Sequence, residues 1–196
     1  MFTGIVASVG RITRIEPLEE GVRLNVDAAT LGLDDVAIGD SIAHNGVCLT
    51  VVEKSDNGFK VDVSKETLNC TVGLDAAGEV NLEKAMRLSD RLGGHLVSGH
   101  VDGVGEVLKF EPVGESHELL IRAPAELAKY ISRKGSITVN GVSLTTNSVD
   151  GRDFSINLIP HTIAVTTLKH LQPGAGVNLE VDLLARYVER MLNAGR

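Results

Sequence analysis

A duplication constrains this chain more than any other feature. Gly4-Ile5-Val6-Ala7-Ser8-Val9-Gly10 lies over Gly99-His100-Val101-Asp102-Gly103-Val104-Gly105, and Glu16-Pro17 lies over Glu111-Pro112 at the same offset. Ser41-Ile42 matches Ser136-Ile137, and Asn45-Gly46-Val47-Cys48-Leu49-Thr50 matches Asn140-Gly141-Val142-Ser143-Leu144-Thr145. Phe59, Thr67 and Thr71 match Phe154, Thr162 and Thr166, and after a small insertion Val80-Asn81-Leu82-Glu83 matches Val177-Asn178-Leu179-Glu180. Two copies are too few for a solenoid, which needs at least ~3 repeats to bury its faces. Each copy is therefore expected to close on itself, since it is well above the ~40 residues below which staples are usually needed. The expected division is residues 1–93, 94–182 and a closing segment over 183–196, with turn chemistry in Asp90-Arg91-Leu92-Gly93-Gly94-His95 at the first boundary.

Period-two alternation marks Val22–Val26, Phe59–Val63 and Phe154–Leu158 as half-buried strands. Asp56-Asn57-Gly58 and Asp150-Gly151 precede corresponding strands and read as hairpin turns. Aromatic residues are 3% of the chain against 43% hydrophobic, so the cores must be mainly Val, Leu and Ile. Several short strands with turns between them favour small barrels, which leave no exposed edge. The expected class is all-β. Helix is predicted over Pro124–Ile131, with Ala29–Val36 as a weaker counterpart. From Leu183 to Ala194 the residues Leu184, Tyr187, Val188, Met191 and Leu192 form an apolar stripe at helical spacing. That helix either docks on its own barrel or packs against other subunits, and its absence from the first copy points to oligomerisation.

The composition excludes several function classes. Net charge is −7 without a Lys/Arg block, so the basic stripe that nucleic-acid binding needs is missing. No apolar run reaches the ~18–20 residues that span a bilayer, and the first residues lack a signal-peptide pattern. A cytoplasmic protein with reduced thiols is expected. Cys48 and Cys70 form no CxxC, His95 and His100 have no evident further ligands, and neither a Walker loop nor GxGxxG is present. Chemistry without metal or nucleotide follows.

Hydroxyls recur at matched places, Ser41/Ser136, Thr50/Thr145 and Thr67/Thr162. Singly, such residues satisfy turns and strand ends; repeated, they suit a polyol chain or a heterocycle with amide edges. The copies also differ. Cys48 faces Ser143, Ile5 faces His100, Gly39 or Lys134 lacks a clean mate, and Asp182 lies where Ala85 does. If each copy binds one ligand, the two environments are unequal, and one can donate while the other accepts. His100 is either a proton carrier near neutral pH or a structural imidazole. Cys48 is either a nucleophile or a small packing residue.

Met1-Phe2-Thr3-Gly4-Ile5-Val6, Asn45–Thr50, Asp90–Gly103 and Asn140–Thr145, taken in order, resemble the riboflavin synthase family of the duplicated-barrel type over essentially the whole chain. The resemblance implies two tandem six-stranded Greek-key barrels, a C-terminal helix that assembles a homotrimer, and no cofactor. It implies dismutation of two molecules of 6,7-dimethyl-8-ribityllumazine per active site. One donates a four-carbon unit and leaves as 5-amino-6-ribitylaminouracil; the other becomes riboflavin. Lumazine synthase, the preceding enzyme of flavin synthesis, is a further partner to consider. By resemblance a first pocket is lined by Gly4, Ile5, Val6, Cys48, Leu49, Thr50, Asp62, Val63, Ser64, Lys65, Glu66 and Thr67. A second uses Gly99, His100, Val101, Lys134, Ser143, Leu144, Thr145, Asn157, Leu158, Ile159, Pro160, His161 and Thr162.

The implied roles are a base, His100, acting on the acceptor's C7 methyl; Ser41, Cys48, Thr67 and Asp182 activating or orienting the donor; Ser143 and Thr145 serving the second pocket; and Phe2 covering a ring face. Where this sequence has Asn140, some members carry an acidic residue, and an amide can hydrogen-bond there but not accept a proton. The rival reading is a lumazine- or flavin-binding optical protein of the same fold without catalysis. Retention of His100, Lys134, Ser143, Thr145 and Asp182 in the second copy favours the enzyme.

Overall fold

The computed structural model describes residues 1–194. The last two residues of the expected 183–196 segment lie outside the described residues. The first barrel contains β1 (Ser8–Leu18), β2 (Gly21–Asp27), β3 (Ser41–His44), β4 (Val47–Lys54), β5 (Gly58–Ser64) and β6 (Gly78–Lys84), and a short helix α1 (Lys65–Cys70) follows β5. The second contains β7 (Gly103–Val113), β8 (Ser116–Arg122), β9 (Ser136–Val139), β10 (Val142–Asp150), β11 (Asp153–Leu158) and β12 (Gly176–Val181), with α2 (Pro160–Val165) after β11. α3 (Leu183–Asn193) closes the described chain. Each barrel is closed and antiparallel, in the order β1-β2-β5-β4-β3-β6 and the equivalent β10-β11-β8-β7-β12-β9.

Alternation explains the cores. Leu24, Val26, Ile42, Leu49, Val51, Val61, Val63, Val80 and Leu82 point inward around Phe59. Leu119, Ile121, Ile137, Val139, Ile156, Leu158, Val177 and Leu179 do the same around Phe154. Each fully buried side chain of this size stabilises its barrel by roughly 1.5–3 kcal/mol relative to exposure. Register shifts occur between Ile12 and Arg14, Val51 and Glu53, Val107 and Lys109, and Thr146 and Ser148. These bulges fall at matching places in the two copies and add the bend that small barrels need to close.

Helix was misread in two places. Over Pro124–Ile131 only Ala128–Tyr130 forms a 3-10 turn, and over Ala29–Val36 only Ala29–Leu31 does. Leu127 and Ile131 are spaced for one face because both pack into the second core, which tertiary contact achieves with a single 3-10 turn between them. Conversely, α1 and α2 carry no apolar stripe to betray them. Ser64 caps α1 by accepting from the Thr67 N–H at 3.1 Å, and Pro160 sits in the first turn of α2.

Around α3 the polarity is inverted relative to a docking helix. Leu184, Tyr187, Val188, Met191 and Leu192 are 56% to 77% exposed. The polar side faces the barrel: Arg186 bonds Asp102, and Glu189 meets Lys129 and Tyr130. The chain's own barrel therefore leaves the apolar stripe uncovered. Among the described residues no helix is long and apolar enough to cross a membrane.

The barrels meet across a pseudo-twofold seam made by the repeated Asn-Gly turns. Asn45 and Asn140 adopt left-handed backbone conformations, φ 46° and 48°. Their Oδ1 atoms accept from the Asn81 and Asn178 backbone N–H groups at 2.9 and 2.8 Å. The Asn81 amide then crosses to the Asn140 carbonyl at 2.9 Å, and the Asn178 amide crosses to the Asn45 carbonyl at 3.1 Å. Gly46 and Gly141 touch backbone to backbone, and a Cβ on Gly46 would lie 2.8 Å from the Gly141 nitrogen. Buried polar groups are costly unless each is paired; here both copies pair theirs with the other. Asn140 therefore serves a turn through its side-chain oxygen and the seam through its backbone carbonyl.

Candidate functional site

The arm preceding each barrel docks across the seam on the other one. The Cys48 N–H donates to the Gly99 carbonyl at 2.8 Å, and the Ser143 N–H donates to the Gly4 carbonyl at 2.7 Å. Val101 packs on the first core and Val6 on the second. The expected grouping is thus exchanged: Gly99–Val101 joins Cys48 and Thr67, whereas Gly4–Val6 joins Ser143. Sequence order could not reveal this, because the copies offer each arm two chemically similar edges.

A buried carboxylate anchors each arm to the barrel whose sequence repeat it begins. Glu83 accepts from the Thr3 N–H at 2.6 Å, the Thr3 hydroxyl at 2.7 Å and the Gly4 N–H at 3.0 Å. Glu180 accepts from the Ser98 N–H at 2.7 Å, the Ser98 hydroxyl at 2.6 Å and the Gly99 N–H at 2.9 Å. Burial pushes the Glu83 carboxyl above its ordinary range, and the donors of Thr3 and Gly4 oppose that shift. Glu83 and Glu180 were read in sequence only as repeat matches. Their chemistry becomes visible once the arms fold over them.

The cavity this creates on the first barrel has a volume of about 210 Å³. Cys48 enters from β4, Glu66, Thr67, Cys70 and Thr71 from α1 and its end, and Gly99, His100 and Val101 from the arm. The Thr67 hydroxyl lies 3.0 Å from Ser64 Oγ. Cys48 is half-buried and Cys70 exposed, both as free thiols. The hydrogen bond to the Glu66 carboxylate, with partial desolvation second, holds the Cys70 thiol above its ordinary value. Cys70, absent from the expected site, therefore shares the cavity with Cys48. An alternation of outward positions on β4 and one turn of α1 brings them together.

On the second barrel Ser143 is the centre. Its hydroxyl is 2.8 Å from His95 Nδ1. Burial lowers the His95 pKa against the pull of Asp182 and Glu180, so the imidazole is held toward its neutral form. In the sequence His95 stands in the boundary turn with no evident further metal ligands; its proximity to Ser143 is a product of the exchanged arms. Thr162 and Thr67 occupy matching turns, each carbonyl accepting from the threonine four residues on, at 2.7 Å in both.

Other expected site residues fall elsewhere. Ser41 pairs with Thr50 across β3 and β4, as Ser136 pairs with Thr145 across β9 and β10. Ser41 borders a separate cleft of about 240 Å³ with Asp35, Lys84 and Arg87. Asp62 is ion-paired with Arg23 at 2.7 Å, which holds its carboxyl below the usual range. Leu49, Val63 and Leu158 bury their side chains in the cores, leaving only backbone for a ligand. Leu144 packs on the second core. Lys65, Asn157, Ile159, Pro160 and His161 lie on exposed surface at and beside the two short helices. Ile5 is also exposed. Asp182 caps α3 through the Leu184 N–H at 3.0 Å. Lys134 stands in a left-handed turn, φ 66°, where the first copy has Gly39. Phe2 is 0% exposed, bridged to Val97 and packed with Ala43 beside Cys48, so its ring lines the seam and no open surface.

A lumazine binding domain model matches residues 3–85 and again residues 98–182. The fold is that of a tandem lumazine-binding-domain protein. The chain is 49% identical to the riboflavin synthase of Photobacterium phosphoreum over 98% of its length and 89% of that protein's. It is 42% identical to the riboflavin synthase of Brucella abortus (strain 2308), covering 97% of this chain and 98% of that one. Among solved structures, LumP complexed with riboflavin matches with TM-score 0.84 and 28% identity, over 92% of this chain and 99% of that one. LumP complexed with 6,7-dimethyl-8-(1'-D-ribityl) lumazine matches with TM-score 0.82 and 27% identity, over the same shares of each chain. This chain belongs to the riboflavin synthase family, whose members are transferase enzymes.

Proposed function

We propose that the chain converts two molecules of 6,7-dimethyl-8-ribityllumazine into riboflavin and 5-amino-6-ribitylaminouracil, each barrel holding one. The observation that carries this is the pair of related but unequal groupings built by arm exchange: Cys48, Thr67 and His100 on one barrel, Ser143, His95 and Gly4 on the other. Both keep the hydroxyls and backbone groups that suit a ribityl chain and a planar amide edge, while the imidazole of His100 has only Ile5 as its counterpart.

In this reading His100 takes a proton from the C7 methyl of the acceptor, and the carbanion is spread into the heterocycle, where donors at its carbonyl edge stabilise it. Cys48 and Thr67 line the same cavity and hold the acceptor beside His100; the carbanion attacks the donor on the facing second barrel, the four-carbon unit passes across and the donor leaves as the diaminouracil. Holding both rings in register removes much of the entropic barrier of a bimolecular step.

The productive site lies between the first barrel of one subunit and the second barrel of its neighbour in a homotrimer. The apolar stripe of α3, left open by its own barrel, supports such packing. A reducing cytoplasm fits the two free thiols, and lumazine synthase, whose product is the substrate, is the protein partner this reading names. The 49% identity to a riboflavin synthase over nearly the full chain favours the enzyme over a protein that only binds the ligand. Incubation of the purified protein with dimethylribityllumazine should yield one riboflavin per two lumazines consumed, with equimolar diaminouracil. A coloured complex that persists without riboflavin would refute the proposal and favour a carrier or optical role.

A further inference from the structure

The two copies differ most sharply around His100. His100 and Asp102 stand where the first copy has Ile5 and Ala7, and Arg186 comes from α3, which has no counterpart in the first copy. These three additions are in contact. Arg186 Nη2 donates to the His100 carbonyl at 2.9 Å and to Asp102 Oδ2 at 2.7 Å. The same Oδ2 accepts from the Val181 N–H at 2.8 Å.

The backbone path itself is shared by both copies. The Asp102 N–H donates to the Leu179 carbonyl at 2.8 Å, as the Ala7 N–H does to the Leu82 carbonyl at 2.9 Å. Glu180 holds Ser98 and Gly99 just as Glu83 holds Thr3 and Gly4. What the second copy adds is an ionic strut behind the His100 backbone. The Arg186 and Asp102 side chains are 28% and 18% exposed, so the pair is screened less than one on open surface. The His100 side chain is exposed, and its aim is set through its backbone.

We propose that Arg186 is a positioning residue for the transfer reaction. It ties α3 to the His100 carbonyl and, through Asp102, to β12, which fixes the backbone that points the imidazole into the cavity of Cys48 and Thr67. The same helix presents the uncovered apolar stripe, so whatever seats that stripe also sets the pose of His100. The proposal rests on the reading of His100 as the group that moves the proton.

Steady-state kinetics with dimethylribityllumazine, alongside the oligomeric mass in solution, test it. Arg186→Gln should lower kcat by about 10-fold to 100-fold, the scale expected when a reacting group is misplaced by about 1 Å, with KM changed less than about twofold and mass unchanged. Arg186→Lys should restore part of kcat, and Arg186→Gln combined with Asp102→Asn should be no slower than Arg186→Gln alone. Glu189→Gln, which loosens the helix from Lys129 and Tyr130 without touching His100, should retain near-normal kcat. Normal kcat in Arg186→Gln beside a slow His100→Gln would overturn the strut alone. Normal kcat in His100→Gln would instead fail the reading of His100 and remove the strut's purpose with it. An equal loss in Glu189→Gln, or a loss that tracks dissociation of the assembly, would show general helix docking and overturn the proposal.

Discussion

Replacing Gly46 with alanine tests whether the seam between the barrels is as tightly closed as its geometry requires. Gly46 has φ +86°, and a Cβ there would lie 2.8 Å from the Gly141 nitrogen and 3.1 Å from its Cα. Two costs add. A left-handed conformation costs an L-residue about 1–2 kcal/mol, and forcing a methyl into packed backbone costs about 1–3 kcal/mol. Gly32 supplies the control, because its φ is +71° and its Cβ would meet nothing within 4 Å. Gly32→Ala should therefore show only the conformational cost, about 1–2 kcal/mol, and Gly46→Ala about 2–5 kcal/mol. Urea unfolding at pH 7 reads the difference as a lower midpoint for Gly46→Ala at similar slope. Gly141→Ala, with φ +79° and 2.7 Å to the Gly46 nitrogen, should behave like Gly46→Ala. Because both arms dock across this seam, the Gly46 variant should also lose turnover while the Gly32 variant keeps it. A Gly46→Ala midpoint no lower than that of Gly32→Ala would refute the close approach and the arm geometry built on it.

Three further outcomes are expected. His44 is fully buried, bonds the Ile42 carbonyl through Nδ1 at 3.0 Å and meets Phe59 edge-on, and burial lowers its pKa to about 4. The unfolded chain takes up this proton near the ordinary value of about 6.5, so the contribution is complete above that pH and is lost as pH falls toward about 4. The natural chain should lose about 2 kcal/mol more than His44→Gln between pH 7 and pH 5, read by urea unfolding at both values, and equal losses would refute the buried neutral imidazole. Lys134→Gly relieves a left-handed lysine and should raise the urea midpoint by up to about 1 kcal/mol in stability while weakening lumazine turnover; unchanged turnover would deny its ammonium a role with substrate. His100→Gln should reduce kcat by about 100-fold or more, the usual scale of a general base, with little change in lumazine affinity by fluorescence titration, and equal loss of both would assign His100 to binding instead.

Barrel architecture was legible because it depends on local periodicity. The alternation in Phe59–Val63 and Phe154–Leu158 points the same residues inward in the structure, and the repeat required two closed units. The closing helix was legible from its stripe, though not the direction of that stripe: only the positions of Asp102, Lys129 and Tyr130 turn its polar side toward the barrel. Pro124–Ile131 misled because apolar spacing at a barrel plug imitates a helix face. α1 and α2 escaped notice because a helix of 6 residues has too few turns to show a period.

By itself the sequence determined that two similar units exist, which faces of their strands are apolar, and that His100, Lys134, Ser143 and Asp182 break the symmetry between them. Tertiary structure alone decided which arm meets which barrel. It thereby placed His100 beside Cys48, put Gly4 and His95 against Ser143, and turned Asn45, Asn81, Asn140 and Asn178 into a shared seam. The physical reason is degeneracy: a duplicated chain offers every docking segment two nearly identical edges, and local pattern carries no term that distinguishes them. Only the pairing of buried amides across the two copies, together with the backbone bonds of Cys48 to Gly99 and Ser143 to Gly4, does.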